Sequence, residues 1–288
     1  MENNRWVIYD SNLIRASEPA VSVESRGLMY GEGCFETFRA YKGSFFKPDE
    51  HLGRLKQVAG FLGLPYPEDL GISGFRKLSR KLLDSNNLSG EDAVIRIQLW
   101  GSGGRGYGVE GKPENHYSIL ATSLPEIKAE VTLATVDTRR IPAESLPAKF
   151  KLTNNINYIT AARQAAQKGA DDALMLTVDE KVSETTIANV FWVTGNTVYT
   201  PSKECDLLPG ITRDTLIELM SQFHSYNIEE GEYSPEQIYR ADSVWICNSL
   251  RHIIGVSRID DHTYNANHDV LNRLKKAYDN HVQSELKY

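Results

Sequence analysis

The chain has 288 residues, 41% of them hydrophobic and 24% charged, with a net charge of −6 at pH 7. That is the balance of an ordinary globular protein with room for one large core or two smaller ones, and it offers no global basic field to nucleic acid or an anionic membrane. Three cysteines, Cys34, Cys205 and Cys247, have no CxxC spacing, which speaks against a disulfide framework and a thiolate zinc site and makes a reducing cytoplasm the simple expectation.

The opening MENNRWVIYD lacks the basic and apolar regions of a signal peptide, and no apolar run approaches the ~20 residues of a membrane span. Strands are expected at Trp6–Asp10, Cys34–Tyr41 and Ser44–Lys47, the last two joined by a tight turn at Lys42-Gly43. From Glu50 to Leu64, Leu52, Leu55, Val58, Ala59 and Leu62 recur at helical spacing, and Phe75–Leu83 repeats that pattern. Ala93–Trp100 and His116–Ser123 read as paired strands around a glycine-rich loop. After Leu124-Pro125 come a strand at Val131–Asp137, an irregular stretch from Arg139 to Phe150, and a helix over Asn157–Lys168 stopped by Gly169. Strands at Ala173–Val178, Asn189–Thr194 and Thr197–Thr200, a helix from Thr212 to Phe223, a strand at Ser243–Asn248 and a helix over Asp269–Val282 complete the reading. The expected division is an N-terminal domain over 1–122, a linker over 123–128 and a C-terminal domain over 129–288.

Gly101-Ser-Gly103-Gly104-Arg105-Gly106 formally matches GxGxxG after a strand. A dinucleotide fingerprint also needs a helix opening at the last glycine, and Tyr107-Gly108-Val-Glu-Gly111-Lys-Pro113 starts one poorly. A loop closing over a site, with Arg105 as a mobile cation, and a plain solvated hairpin loop are the competing readings. Leu207-Leu-Pro-Gly210-Ile211-Thr212-Arg213 leads into an amphipathic helix, whose N-terminus suits an anion. On spacing alone an ordinary capped helix serves as well. Arg54 could supply the matching guanidinium or be a solvated helix charge. Lys149 and Lys151 stand beside a polar Thr153-Asn154-Asn155 turn, where composition alone does not distinguish a reactive amine from surface lysines. Glu184 falls between two strand-like runs, as a partner for a ring nitrogen or as a loop residue.

Taken in order, Arg26-Gly-Leu-Met-Tyr30-Gly-Glu-Gly-Cys-Phe35-Glu-Thr37, His51-Leu-Gly-Arg54-Leu, Lys151-Leu-Thr-Asn154, Gly169-Ala-Asp-Asp-Ala-Leu174, Glu184 through Asn189-Val-Phe, Thr200-Pro201 and Leu208-Pro-Gly-Ile-Thr-Arg213 resemble the class IV, fold type IV pyridoxal-phosphate family. That family includes branched-chain and D-amino acid aminotransferases and aminodeoxychorismate lyases. The resemblance implies an α+β enzyme of two domains, a small N-terminal α/β sandwich and a larger C-terminal domain with a barrel-like sheet. It implies pyridoxal 5'-phosphate as cofactor and a homodimer whose partner subunit helps close a pocket near the interface. By position, Lys151 matches the lysine that binds the cofactor as a Schiff base and shuttles the α-proton, whereas Lys149 is two residues out of register. Glu184 matches the carboxylate on the pyridine nitrogen, with Asn189 in the same segment. Arg54, the backbone N–H groups of Ile211 and Thr212, and Ser249 match the phosphate-holding groups. Thr37 and Arg105 match substrate-facing positions, and Tyr30 and Phe35 match aromatic pocket residues of branched-chain aminotransferases, with plain packing as the competing reading. Many relatives carry a tyrosine four or five residues after the lysine; here those positions are Asn155 and Ile156, with Tyr158 further along. Arg251 and His252 add two potential cations where relatives often have small residues, to bind a second carboxylate or to point outward.

The resemblance implies transfer of an amino group between an amino acid, of branched-chain L or D type, and a 2-oxo acid. The alternative is an aminodeoxychorismate lyase releasing p-aminobenzoate and pyruvate, which Thr37 and the Arg105 loop resemble most. A third reading, a degenerate binding module, requires loss of the lysine or its acidic partner, and both are present. No metal is expected, and no nucleic-acid or membrane partner.

Overall fold

The computed structural model describes residues 5–19, 21–108 and 113–286. By internal contacts the chain divides into two units, Met1–Pro125 with Phe150–Asn154, and Glu126–Lys149 with Asn155–Lys287.

The first unit runs β1 (Trp6–Tyr9), β2 (Asn12–Arg15), α1 (Arg26–Tyr30), β3 (Gly33–Tyr41), β4 (Ser44–Phe45), α2 (Pro48–Phe61), α3 (Ile72–Ser85), β5 (Ala93–Gly101) and β6 (Asn115–Ser123). Its six strands form one antiparallel sheet in the order β2-β1-β6-β5-β3-β4. Successive side chains of a strand point to opposite faces. Cys34, Glu36, Phe38 and Ala40 of β3 are buried, as are Ala93, Ile95, Ile97 and Leu99 of β5. Leu52, Leu55, Val58 and Ala59 of α2 and Phe75, Leu82 and Leu83 of α3 supply the matching apolar stripes. The turn at Lys42-Gly43 has φ of 48° and 83°, the left-handed geometry that suits a two-residue hairpin and that glycine adopts without strain.

The second unit runs β7 (Glu130–Thr135), α4 (Ile156–Gln167), β8 (Asp172–Leu176), β9 (Val182–Thr185), β10 (Asn189–Thr194), β11 (Thr197–Pro201), α5 (Ile211–Met220), β12 (Asn227–Gly231), α6 (Pro235–Tyr239), β13 (Ser243–Asn248), β14 (His252–Ile259), β15 (His262–Thr263) and α7 (Asp269–Glu285). Strands β10, β13, β14, β7, β8 and β9 neighbour one another in that order, and β9 pairs back to β10, so the sheet closes into a barrel. Alternate residues fill it: Val131 and Leu133, Leu174 and Leu176, Val182, Val190 and Trp192, Val244 and Ile246, Ile254 and Val256. Helix α4 connects the parallel strands β7 and β8. It lies against Ala134, Val136, Ala173 and Met175 through Ala161 and Ala165, small enough for close approach. Among the described residues no helix is long and apolar enough to cross a membrane.

The α+β fold with a barrel-like C-terminal sheet is as expected. The sequence reading placed no element at β2, α1, β9, β12, α6, β14 or β15. It also kept all of 129–288 together, whereas Phe150–Asn154 groups with the first unit. The cause is a short strand. The two residues of β4 pair only with Ala40 and Tyr41, leaving the Gly33–Phe35 edge of β3 for another chain segment. Lys151–Thr153 takes it: Phe35 N–H donates to Lys151 O at 3.1 Å, Thr153 N–H to Gly33 O at 2.9 Å, and Cys34 bridges Leu152.

Candidate active site

In the first unit this edge pairing fixes Lys151. Its Nζ lies 4.5 Å from the Phe35 ring centroid, and Lys151 is half-buried while Lys149 is exposed. The Arg96 guanidinium packs on the same Phe35 ring, 3.8 Å from its centroid, and burial holds its pKa below the usual arginine value. Arg96 pairs across the sheet with Thr37, which is half-buried.

Glu36 points to the helix-covered face and is fully buried. It accepts from Arg54 Nε at 2.6 Å and Nη2 at 3.0 Å, and sits 2.8 Å from His51 Nδ1. Burial alone would raise the Glu36 pKa; the charge of Arg54 and the His51 hydrogen bond overcome it and hold the carboxyl at about 2. Burial pushes His51 down, with a further push from Arg54 and Lys151 against the pull of Glu36. Arg54 is therefore no solvated helix charge but one arm of a buried ion pair. Sequence reasoning missed Glu36, His51 and Arg96 as members of the site. The signal for Glu36 was legible: a carboxylate in phase with Cys34, Phe38 and Ala40 on a buried strand face needs a cation.

The glycine-rich loop between β5 and β6 is tied to α1. Arg26, itself paired with Glu32 at 2.6 Å, donates through Nη1 to Gly106 O at 2.7 Å. Gly106 N–H donates to Tyr30 Oη at 3.0 Å, and the rings of Tyr30 and Tyr107 lie 5.6 Å apart. Arg105 is exposed. Residues 102–108 form no helix, so the nucleotide-fingerprint reading has no support there; the rest of the expected motif context, 109–112, lies outside the described residues.

In the second unit Glu184 is a strand residue of β9 rather than a loop residue, 3% exposed. Oε1 accepts from Tyr158 Oη at 2.7 Å and lies 3.2 Å from Arg140 Nε. Oε2 accepts from Leu208 N–H at 3.2 Å and Asn189 Nδ2 at 3.4 Å. Asn189 also donates to Leu208 O at 2.9 Å, fastening the strand to the segment that leads into α5. Helix α5 starts after Gly210 with no side chain capping its N-terminus. Thr212 is buried, its Oγ1 3.5 Å from Tyr278 Oη. Ser249 is half-buried just after β13, in a turn where Asn248 Oδ1 accepts from the N–H groups of Leu250 and Arg251. His252 faces Asp279 of α7 at 3.2 Å. Arg140 comes from the irregular stretch, and no sequence signal marked it.

Gly210 is required by its neighbour: a Cβ there would stand 2.2 Å from Asn189 Oδ1. Gly210→Ala is expected to cost about 1–3 kcal/mol, read in denaturant unfolding, because Asn189 cannot yield without releasing Glu184 and Leu208.

The chain matches the family model for amino-transferase class IV over residues 33–259. It is 32% identical over 248 residues to an aminodeoxychorismate lyase of Vibrio harveyi, an alignment covering 83% of this chain and 87% of that protein. It is 30% identical over 279 residues to a putative branched-chain-amino-acid aminotransferase of Methanocaldococcus jannaschii, covering 94% of each. The fold superposes on the crystal structure of the branched-chain aminotransferase of Thermoproteus uzoniensis with norvaline at a TM-score of 0.89 and 28% identity, covering 97% of this chain and 95% of that one. A family match spanning most of the chain makes this protein a member of the class IV aminotransferase family.

Proposed function

We propose that the protein is a pyridoxal-phosphate-dependent aminotransferase that moves an amino group between an amino acid of branched-chain L or D type and a 2-oxo acid, working as a cytoplasmic homodimer. The observation that carries the reading is the placement of Lys151: a half-buried amine pinned by backbone pairing to β3, against the same Phe35 ring on which the Arg96 guanidinium packs. An amine held this way meets a carbonyl in one orientation, as covalent attachment requires.

The donors present fit pyridoxal phosphate group by group. Lys151 suits the aldehyde. The buried Glu184 carboxylate suits a protonated ring nitrogen. The uncapped start of α5, with the N–H groups of Ile211 and Thr212, suits a phosphate, and Gly210 keeps that backbone bare of a Cβ. Arg54, oriented by Glu36, and Ser249 complete the proposed phosphate set. When bound, the cofactor supplies an electron sink for the charge left when a Cα–H bond breaks. The chain's own tasks are then to move that proton, at Lys151 Nζ, and to keep an anion at the ring nitrogen, at Glu184. Tyr30, Phe35, Thr37 and Arg105 are the proposed substrate contacts. Arg96 joins them: a guanidinium packed over the Phe35 ring keeps in-plane donors for a second carboxylate. Dicarboxylic 2-oxo acids are therefore expected among the better amino-group acceptors. Three buried free thiols suit a reducing compartment.

The alternative, release of p-aminobenzoate and pyruvate from aminodeoxychorismate, is favoured by one specific observation, the 32% identity to a lyase of that name. Incubating the protein with pyridoxal phosphate and a panel of L- and D-amino acids and 2-oxo acids, and separately with aminodeoxychorismate without a 2-oxo acid, decides between them. Transamination is expected to exceed pyruvate release. The reverse ranking replaces the first reading with the second.

A further inference from the structure

Tyr158 is left without a role by the phosphate, lysine and carboxylate assignments, yet it is well placed. It sits on α4 one turn before Ala161, on the face that Ala161 and Ala165 press against the sheet. Its hydroxyl thereby reaches Glu184 Oε1 at 2.7 Å. The Arg140 guanidinium lies 4.3 Å from the centroid of its ring, and Arg140 Nη1 donates to the neighbouring Asn157 Oδ1 at 2.8 Å. Of the two positions where relatives carry the tyrosine, Asn155 is half-buried and Ile156 is 65% exposed. Burial, then the charge of Glu184, pushes the Tyr158 phenol well above its ordinary value, so it stays a donor at neutral pH. A hydrogen bond given to the charged form of a carboxylate favours that form, and the more so where water is excluded.

We propose that Tyr158 is a positioning residue that aims Glu184 and sets its acidity, so that the carboxylate is anionic where a protonated pyridine nitrogen needs it. The inference rests on the proposed cofactor. Arg140 is the charged group packed on this pair, 3.2 Å from Glu184 Oε1 and itself held by the Asp206 carbonyl, which accepts from Arg140 Nε at 3.0 Å. Buried Asp172 and the Asp206 carboxyl, both raised by burial, titrate in the same protein, so a Glu184 variant must serve as control.

The test is the association constant of the apoprotein for pyridoxal phosphate, followed by tryptophan fluorescence from pH 4.5 to 8. Binding is expected to fall on the acid side as Glu184 takes up a proton, and Glu184→Gln is expected to flatten that limb. Tyr158→Phe is expected to keep affinity at pH 8 within about threefold of wild type and to move the acid limb upward by roughly half a unit or more. A limb that superimposes on wild type, or an affinity lowered by one factor at every pH, overturns the proposal. Should the phenylalanine variant not fold, a fluorotyrosine placed at 158 keeps the hydroxyl as a stronger donor and is expected to move the limb downward; an unmoved limb there overturns it equally. Wild-type protein that binds no cofactor at any pH overturns the functional reading together with this one, whereas binding with unmoved limbs overturns this one alone.

Discussion

Lys151→Ala is expected to lower turnover on the order of 10⁴-fold or more, the scale of losing a group that acts covalently and as a base at once. The same variant is expected to lack the visible absorption that the wild-type protein gains with pyridoxal phosphate. Lys149→Ala is the matched control and is expected to stay within about threefold of wild type. The two lysines are two residues apart, but only Lys151 lies in the segment whose backbone is pinned to the β3 edge. Lys149 is exposed and precedes that pairing. Single-turnover kinetics with added methylamine separate the two tasks assigned to Lys151, because an exogenous amine can restore proton transfer without restoring covalent attachment. Turnover by Lys151→Ala near the wild-type rate, without added amine, would remove the central assignment.

How much of this was legible depended on whether a residue's neighbours lie nearby in sequence. Amphipathic helices and alternating strands are local patterns, so β10 and β13 could be read to the residue and α2 and α3 with errors at their ends. Strand β9 could not. Its four residues are buried on both faces and show no alternation, and it is held by partners on β8 and β10. Strand β14 was obscured by Gly255, which reads as a breaker. It is there because a Cβ would stand 3.0 Å from Ala266. The family motifs pointed to Lys151, Arg54, Glu184 and the start of α5, but not to what surrounds them. That Arg54 is paired with Glu36 follows from a strand position facing a helix 18 residues on. That Arg140 and Tyr158 meet Glu184 depends on a crossover helix folding over the barrel, which no local pattern encodes. The excursion of 150–154 into the first unit is the hardest case, since its cause is the shortness of β4, more than 100 residues earlier.

The second large effect is on stability. Glu36→Gln is expected to destabilise the protein at neutral pH by about 3 kcal/mol, the equivalent of moving a carboxyl from its ordinary value of 4.5 to about 2. Removing the charge also takes the buried anion from the half-buried Arg54, and breaking a fully buried pair in this way costs about 3–5 kcal/mol. A loss of this size lowers the melting temperature by roughly 5–10 °C in a chain of this length. The sign of the pH dependence follows from the direction of the shift. Because folding depresses the Glu36 pKa, its contribution is fully present above about 4.5 and is lost as pH falls toward about 2. Glutamine mimics the protonated acid, so the gap between wild type and variant should be constant from pH 7 to about 5.5 and narrow steadily below about 4.5. Urea unfolding at pH 7, 5.5, 4.5 and 3.5 measures it, and a gap unchanged at pH 3.5 would mean that the pair with Arg54 is not what stabilises this strand. The same variant bears on function, because Glu36 fixes the direction of Arg54 through Nε and Nη2 together. If Arg54 holds the phosphate as proposed, affinity for pyridoxal phosphate should weaken by about 10-fold at a pH where the variant is still folded. A stability loss without any loss of affinity would leave Arg54 a structural cation of the α2–β3 packing and assign the phosphate to α5.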